Sequence, residues 1–398
     1  MLIPLKLILG SPTLRMIAVS MILVGAINAS MFPYQSLIAI QRIGISDNHY
    51  ALLLTFASAL AVTTTVAAGI ITDQRANRRQ IALLSAATSA VGPALMLAAP
   101  SPLTLILCHA ILLPVAGVLY SQLFALARLA CTDHLPHRDP ILATIRAGLS
   151  LTFVVVLPLW SIAFGYGVDV MNVYALATLA GLALLFVIYR HWPHDGKTEW
   201  ADAPSGLSFL QSLREIAHGP VLSRLALLGI TLSGPALYMV LLSLVFAATP
   251  GRSTGDVALF VGLVAGWEVP FMLALPLVTH RFRRTTLIAA GAALYATYLA
   301  LMPILAPYAA VWVLPLLAGF AGGAILTLPV AYLQDLMSQR PGTGASLIAL
   351  QKVTSDTTCA IIFATGTWAG GYAHAATLGA MVMLISVTTL LIVDHRKA

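Results

Sequence analysis

The chain alternates between long apolar runs and short polar breaks. Taken in order, the runs predict twelve helical spans, near 16–40, 50–71, 80–99, 103–126, 141–164, 169–189, 221–247, 257–278, 285–303, 308–333, 345–369 and 372–393. At about 1.5 Å rise per residue, a run of about 20 residues crosses the hydrocarbon core of a bilayer. The longest polar stretch, 191–220, stands between spans 6 and 7 and holds Pro193, Gly196, Pro204 and Gly206 among mixed charges. It reads as a linker with one short surface helix near 207–217. The predicted fold is therefore an all-α integral membrane protein of two six-helix bundles, residues 1–190 and 221–398, joined by 191–220.

Composition agrees with the pattern. Of 398 residues, 59% are hydrophobic and 9% charged, against about 25% charged in soluble domains. The net charge of +7 raises the question of a nucleic-acid partner, and the placement of the cations answers it. With the amino terminus in the cytoplasm, 18 of the 21 Lys and Arg fall on the inner face, Arg42 and Arg252 lie outside, and Lys352 lies within span 11. That asymmetry follows the positive-inside rule and places both termini in the cytoplasm. No basic and aromatic stripe forms a nucleic-acid surface. Cys108, Cys131 and Cys359 show no metal or disulfide spacing. The first ten residues make no convincing cleavable signal.

The two halves echo each other. Gly69-Ile-Ile-Thr-Asp73-Gln-Arg75-Ala-Asn-Arg78-Arg79 joins spans 2 and 3, and His280-Arg281-Phe-Arg283-Arg284 joins spans 8 and 9, about 205 residues later. Internal repeats of this kind are the architecture of many secondary transporters.

Few residues inside the spans carry chemistry. Glu268, in Gly266-Trp267-Glu268-Val269-Pro270, sits near the middle of span 8. An uncompensated charge at that depth costs at least about 2.5–3.5 kcal/mol, so an intramembrane acid marks a substrate or proton site. The plainer alternative is a buried neutral acid joining two helices. Lys352 and Asp356 are spaced i,i+4 on one face of span 11. They make either a self-neutralising pair or, with Glu268, a proton-exchanging triad.

Candidate substrate contacts are the amides and hydroxyls of Asn28, Tyr34 and Gln35 in span 1, His109 and Gln122 in span 4, Tyr238 in span 7, Glu268 itself, and Tyr332 and Gln334 in span 10. Amides on one helix face suit a neutral polyhydroxyl solute; helix–helix hydrogen bonding is the structural alternative. Asp73 caps span 2 beside Arg78 and Arg79, and Arg128, Arg146 and Asp335 lie at inner helix ends. His134-Leu-Pro-His137 and His191-Trp-Pro-His194 have metal-like spacing, but a proline within each pair spoils the geometry, so no metal is expected. No phosphate-binding loop or nucleophile motif is present, so neither ATP nor another cofactor is expected and the chain is not read as an enzyme.

Three further stretches sharpen the picture: Gln122-Leu-Phe-Ala-Leu-Ala-Arg128, Gly266-Trp-Glu268-Val-Pro270 and Tyr332-Leu-Gln334-Asp335-Leu-Met337. With the span 2–3 motif and the six-plus-six pattern, they make the chain resemble the major facilitator superfamily and, within it, the bacterial sugar efflux transporters. It departs at Ala76, where the motif has glycine, at Leu157-Pro158, where exporters often have Gly-Pro, and at Lys352 and Asp356, where sugar exporters have uncharged polar residues. The resemblance implies a multi-pass protein of the bacterial inner membrane that exports a sugar or glycoside by proton antiport and alternating access, with monomer as the default. It further implies that Asp73 and Arg128 act with Arg78 and Arg79 as an inner gate, flanked by Arg146 and Asp335. The alternative is efflux of drugs or another metabolite. A membrane sensor would need a sizeable soluble domain, for which a polar stretch of about 30 residues is too short.

Overall fold

The computed structural model describes residues 2–75, 78–131, 137–194, 219–279, 281–336 and 341–395. The linker from 195 to 218, with the expected surface helix, and His134 lie outside the described residues. A short helix, Leu2–Gly10, precedes the long ones. These are α1 (Pro12–Arg42), α2 (Asp47–Arg75), α3 (Arg78–Ala98), α4 (Pro102–Ala130), α5 (Arg138–Gly165) and α6 (Asn172–His191). They continue as α7 (Gly219–Ala247), α8 (Thr254–Ala274), α9 (Arg284–Leu305), α10 (Leu314–Leu336), α11 (Pro341–Gly370) and α12 (Tyr372–His395).

Each helix falls on one predicted span. Eleven are long and apolar enough to cross a membrane. The twelfth, α11, has 30 residues and carries the polar run Gln351-Lys352-Val353-Thr354-Ser355-Asp356-Thr357-Thr358. Span 8 ends earlier than its hydrophobicity suggests: α8 stops at Ala274, and a separate turn, Pro276–Thr279, follows. Pro276 has no N–H to continue the ladder.

Local chemistry sets the helix ends and their irregular turns. Ser101 and Thr104 cap α4 reciprocally: Ser101 Oγ accepts from the Thr104 N–H at 3.2 Å, and Thr104 Oγ1 from the Ser101 N–H at 3.0 Å. Ser253 and Asp256 cap α8 in the same way, at 3.2 and 2.8 Å. In α1 the helix tightens to a 3₁₀ turn at Phe32–Tyr34, around Pro33, then widens to a π turn at Ile38–Arg42. A second π turn, Ile106–Leu112, lies in α4.

The repeat seen in the sequence recurs in backbone detail. Among the described residues, four glycines have left-handed φ: Gly44 (81°) and Gly251 (81°) in the 1–2 and 7–8 turns, and Gly167 (82°) and Gly371 (84°) in the 5–6 and 11–12 turns. Helix contacts repeat as well. A methyl group at Gly25 of α1 would fall 2.8 Å from Thr152 Oγ1 of α5, and one at Gly229 of α7 would fall 2.6 Å from Thr354 Cβ of α11. Both contacts require the bare backbone of glycine. The architecture is thus twelve helices in two pseudo-symmetric sets of six.

The chain forms two compact units. The first comprises Met1–Phe32, Ala59–Leu157 and Val168–Leu207; the second, Pro33–Ser58, Pro158–Gly167 and Ser208–Ala398. In the first, α3 packs on α6 and α1 on α6 through small residues. Ala82, Ala86, Ala90, Ala177 and Ala180 are buried there, and Gly181 lies against the backbone of Ala90. In the second, α9 packs on α12 and α10, α7 on α11 and α12, and α8 on α10. Its core is aromatic: Tyr238, Tyr295, Tyr298, Phe246 and Phe260 are buried with ring centroids 5.1–6.5 Å apart.

Candidate functional site

Glu268 sits on α8 two residues before Pro270 and is half-buried. It makes no hydrogen bond or ion pair among the described residues. What it faces is a glycine surface on α10. A methyl at Gly322 would lie 2.5 Å from Glu268 Oε1, one at Gly319 would lie 3.0 Å from the Glu268 N and press on Trp267 Cβ, and one at Gly323 would lie 3.5 Å from the Glu268 carbonyl oxygen. Only glycine at 319 and 322 lets α10 approach closely enough to hold the carboxyl against the helix backbone.

On α11 the i,i+4 pair forms as the spacing predicts. Lys352 Nζ donates to both oxygens of Asp356, at 2.7 and 3.0 Å. The lysine side chain is 68% exposed and the aspartate 21%, so the pair turns its cation outward. Asp356 has a second donor that the sequence did not reveal: Ser58 Oγ of α2, at 2.9 Å. The polar group on α11 is therefore Lys352, Asp356 and Ser58, with Glu268 outside its hydrogen bonds. Farther along α2, Tyr50 meets Phe363 edge-on at 5.9 Å, and Phe363 stacks on Tyr372 at 6.4 Å.

Of the span 1 candidates, Tyr34 is fully buried, edge-on to Phe164 at 5.3 Å, and its hydroxyl has no hydrogen-bond partner among the described residues. Neighbouring Ser36 donates to the Val240 carbonyl at 2.6 Å and meets Ser243 Oγ at 3.0 Å. Asn28 and Gln35 are half-buried, and no side-chain hydrogen bond engages them among the described residues. Three other candidates are engaged by protein groups. His109 Nε2 bonds Tyr174 OH at 2.8 Å, between α4 and α6. Gln122 Oε1 accepts from Arg78 Nη1 at 3.5 Å. Tyr332 OH donates to Asp394 Oδ1 at 2.7 Å. Tyr238 is buried in the aromatic core of the second unit.

At the inner helix ends, Arg78 is buried and also donates to Thr72 Oγ1 at 3.3 Å. Arg79 reaches the Tyr189 carbonyl at 3.0 Å and lies over the Tyr189 ring. Arg128 and Arg146 are exposed. The side chains of Asp73, Gln334 and Asp335 lie outside the described residues. The second unit has a clamp that sequence reasoning missed: Arg224 Nε lies 3.3 Å from Asp394 Oδ1, the oxygen that Tyr332 also bonds. An acid at the end of α12 and a base at the start of α7 were the available signal, but Arg224 counted only toward topology. Among the described residues, no group of three or more His, Cys, Asp or Glu is placed to hold a metal ion.

An unpaired acid on a glycine face of a spanning helix, in a chain of two repeated six-helix sets, suits a transporter. Comparison with known families decides which one, because the model of the Major Facilitator Superfamily matches residues 8–352. The chain belongs to the Major Facilitator Superfamily. As such it is a multi-pass membrane transporter and not an enzyme. It is 27% identical over 365 residues, 89% of this chain and 90% of the other, to a Deinococcus radiodurans protein named "Putative sugar efflux transporter". Two solved Major Facilitator folds are similar in structure. One is the nucleoside transporter NupG, with a TM-score of 0.71 at 13% identity over 97% of this chain and 98% of that one. The other is a peptide transporter POT in complex with sulfate, with a TM-score of 0.76 at 12% identity over 96% and 94%.

Proposed function

We propose that this Major Facilitator chain exports a small polyhydroxyl solute, a sugar or glycoside, in exchange for protons. It works by alternating access as a monomer in the bacterial inner membrane, with both termini in the cytoplasm. The observation that carries the reading is Glu268, a half-buried carboxyl in a spanning helix that pairs with no cation among the described residues. Such a group is tolerated in hydrocarbon when it is neutral and costly when it is charged. Proton binding and release there therefore changes which arrangement of the protein is stable.

The substrate class is supported by the name of the 27% identical relative and by the amides of Asn28 and Gln35, which remain available to hydroxyl groups. The gate at the inner ends is assigned to Asp73, Arg78, Arg79 and Arg128, with Arg146 and Asp335 beside them. Lys352 and Asp356 are the second charged element of the coupling.

The test is the internal pH of proteoliposomes holding purified protein, wild type beside Glu268→Gln, as sugars and lipophilic cations are added singly. A sugar-dependent proton flux that disappears in the variant supports the reading. Equal flux in both proteins removes Glu268 as the proton carrier and moves the role to Asp356. Flux with lipophilic cations alone makes the protein a drug exporter.

A further inference from the structure

Ser36 of α1 and Ser243 of α7 hold matching places in the two halves of the chain. Each stands eight residues before the left-handed glycine of its turn, Gly44 or Gly251. The two serines meet each other within the second unit. Ser36 Oγ donates to the Val240 carbonyl at 2.6 Å and lies 3.0 Å from Ser243 Oγ. A hydroxyl has one proton, and that of Ser36 is spent on the carbonyl, so Ser243 is the donor between the two hydroxyls. Both residues are sealed, at 1% and 0% exposure. A contact between equivalent residues is self-complementary, like the centre of an isologous interface.

The helix around Ser36 is built to bend. The body of α1, Pro12–Met31, packs on α4 and α6, whereas Gln35–Leu37 packs on α7. Those three residues lie between the 3₁₀ turn at Phe32–Tyr34 and the π turn at Ile38–Arg42. Turns of these kinds inside a helix mark hinges and functional sites. Pro33 also removes one N–H from the ladder. The boundary of the compact units falls at the same place, between Phe32 and Pro33.

The contact can part without orphaning its polar atoms. A serine or threonine hydroxyl in a helix can reach the carbonyl four residues back, as Ser30 does to Ala26 and Thr249 to Val245. Ser243 has the Met239 carbonyl at that spacing, and Ser36 has that of Phe32. The Val240 carbonyl lies inside α7 and keeps the helix ladder. A permanent staple gains little from such fallback partners, whereas a contact that breaks in every cycle needs them.

We propose that Ser36 and Ser243 form a latch holding the outer end of α1 on α7. It parts and re-forms in each transport cycle while α1 flexes between Phe32 and Arg42. This rests on the alternating-access reading and on the orientation given by the cations.

The test has two arms, both on the full chain with Cys108, Cys131 and Cys359 replaced by alanine. In the first, Ser36→Cys and Ser243→Cys are combined and mildly oxidised. A disulfide should form, solute-dependent proton flux in proteoliposomes should fall at least about tenfold, and reduction should restore it. The second arm needs no solute. Intact cells carrying Ser243→Cys are treated with a membrane-impermeant maleimide, and labelling should rise about two- to tenfold when Ser36→Ala removes the bond to Val240. Ser233→Cys, at a buried serine of α7 that bonds within its own helix, should stay unlabelled with or without Ser36→Ala. Failure to form the disulfide, or a disulfide that leaves flux untouched, overturns the latch. So does labelling of Ser243→Cys that ignores Ser36→Ala. Absence of flux with every solute in the protein before oxidation removes the transport reading instead, and the labelling alone then decides the latch.

Discussion

The two units share a scaffold and differ in their chemistry. Corresponding turns of the two halves of the chain carry a left-handed glycine, and each unit brings two helices together on a glycine–threonine contact, Gly25 on Thr152 and Gly229 on Thr354. The first unit then fills its interior with alanine, serine and glycine, and among the contacts of its arginines are Arg78 on Thr72 and Gln122 and Arg79 on the Tyr189 carbonyl. The second unit fills its interior with tyrosine and phenylalanine and carries Glu268 and Asp356 within its spans and Asp394 at the end of α12. Duplicated packing with unequal chemistry teaches that backbone contacts cannot drift without unfolding a set of six helices, whereas titrating groups are needed only once.

The sharpest way to break this comparison is Gly322→Val, which drives a branched side chain into Glu268. Transport should fall at least about tenfold, equal to about 1.4 kcal/mol of barrier. Gly266→Ala on α8, where an added methyl meets nothing within 4 Å, should leave transport unchanged. Loss of activity in both variants would mean that α8 tolerates no change at all, and the special status of the glycine face would be lost.

Next in size is the paired test of the scaffold. Gly25→Ala and Gly229→Ala each overpack a helix contact, at about 1–3 kcal/mol. Thermal unfolding in detergent should show similar drops in melting temperature, and a silent variant in either unit would break the symmetry. Tyr332→Phe should cost about 1 kcal/mol, the scale of a net hydrogen bond, because Asp394 keeps Arg224 and is partly solvated. Smallest is Ser58→Ala. Asp356 keeps both contacts from Lys352, so melting should barely move, and the variant sharpens the comparison only if transport slows by about two- to fivefold, roughly 0.5–1 kcal/mol.

Much of the fold was legible because membrane spans announce themselves by length. All twelve runs became helices, including α11 with its polar stretch. The break after Ala274 was misjudged because hydrophobicity continues through Pro276 while the backbone ladder does not. Of the site, Glu268 and the Lys352–Asp356 pair were readable, since an acid in an apolar run and an i,i+4 spacing are local signals. Ser58 was not, because it meets Asp356 across 298 positions of sequence. Gly322 was not, because a glycine in a membrane helix has several reasons to be there, and only the carboxyl beside it shows which one applies. Arg224 was seen only as a topological charge; its bond to Asp394 depends on how α7 and α12 end.

The four left-handed glycines carry a consequence for genetics. Every single-nucleotide missense change in a glycine codon introduces a side chain with a Cβ. At φ near +81° to +84° that atom costs roughly 1–2 kcal/mol wherever it points, even at Gly44, Gly167, Gly251 and Gly371, which have open space around them. In a saturation library selected for function, these four codons should retain synonymous changes and shed missense ones, with aspartate the least depleted. Codons 44 and 251 should give matching profiles, as should 167 and 371, leaving the duplication visible in the pattern of surviving alleles.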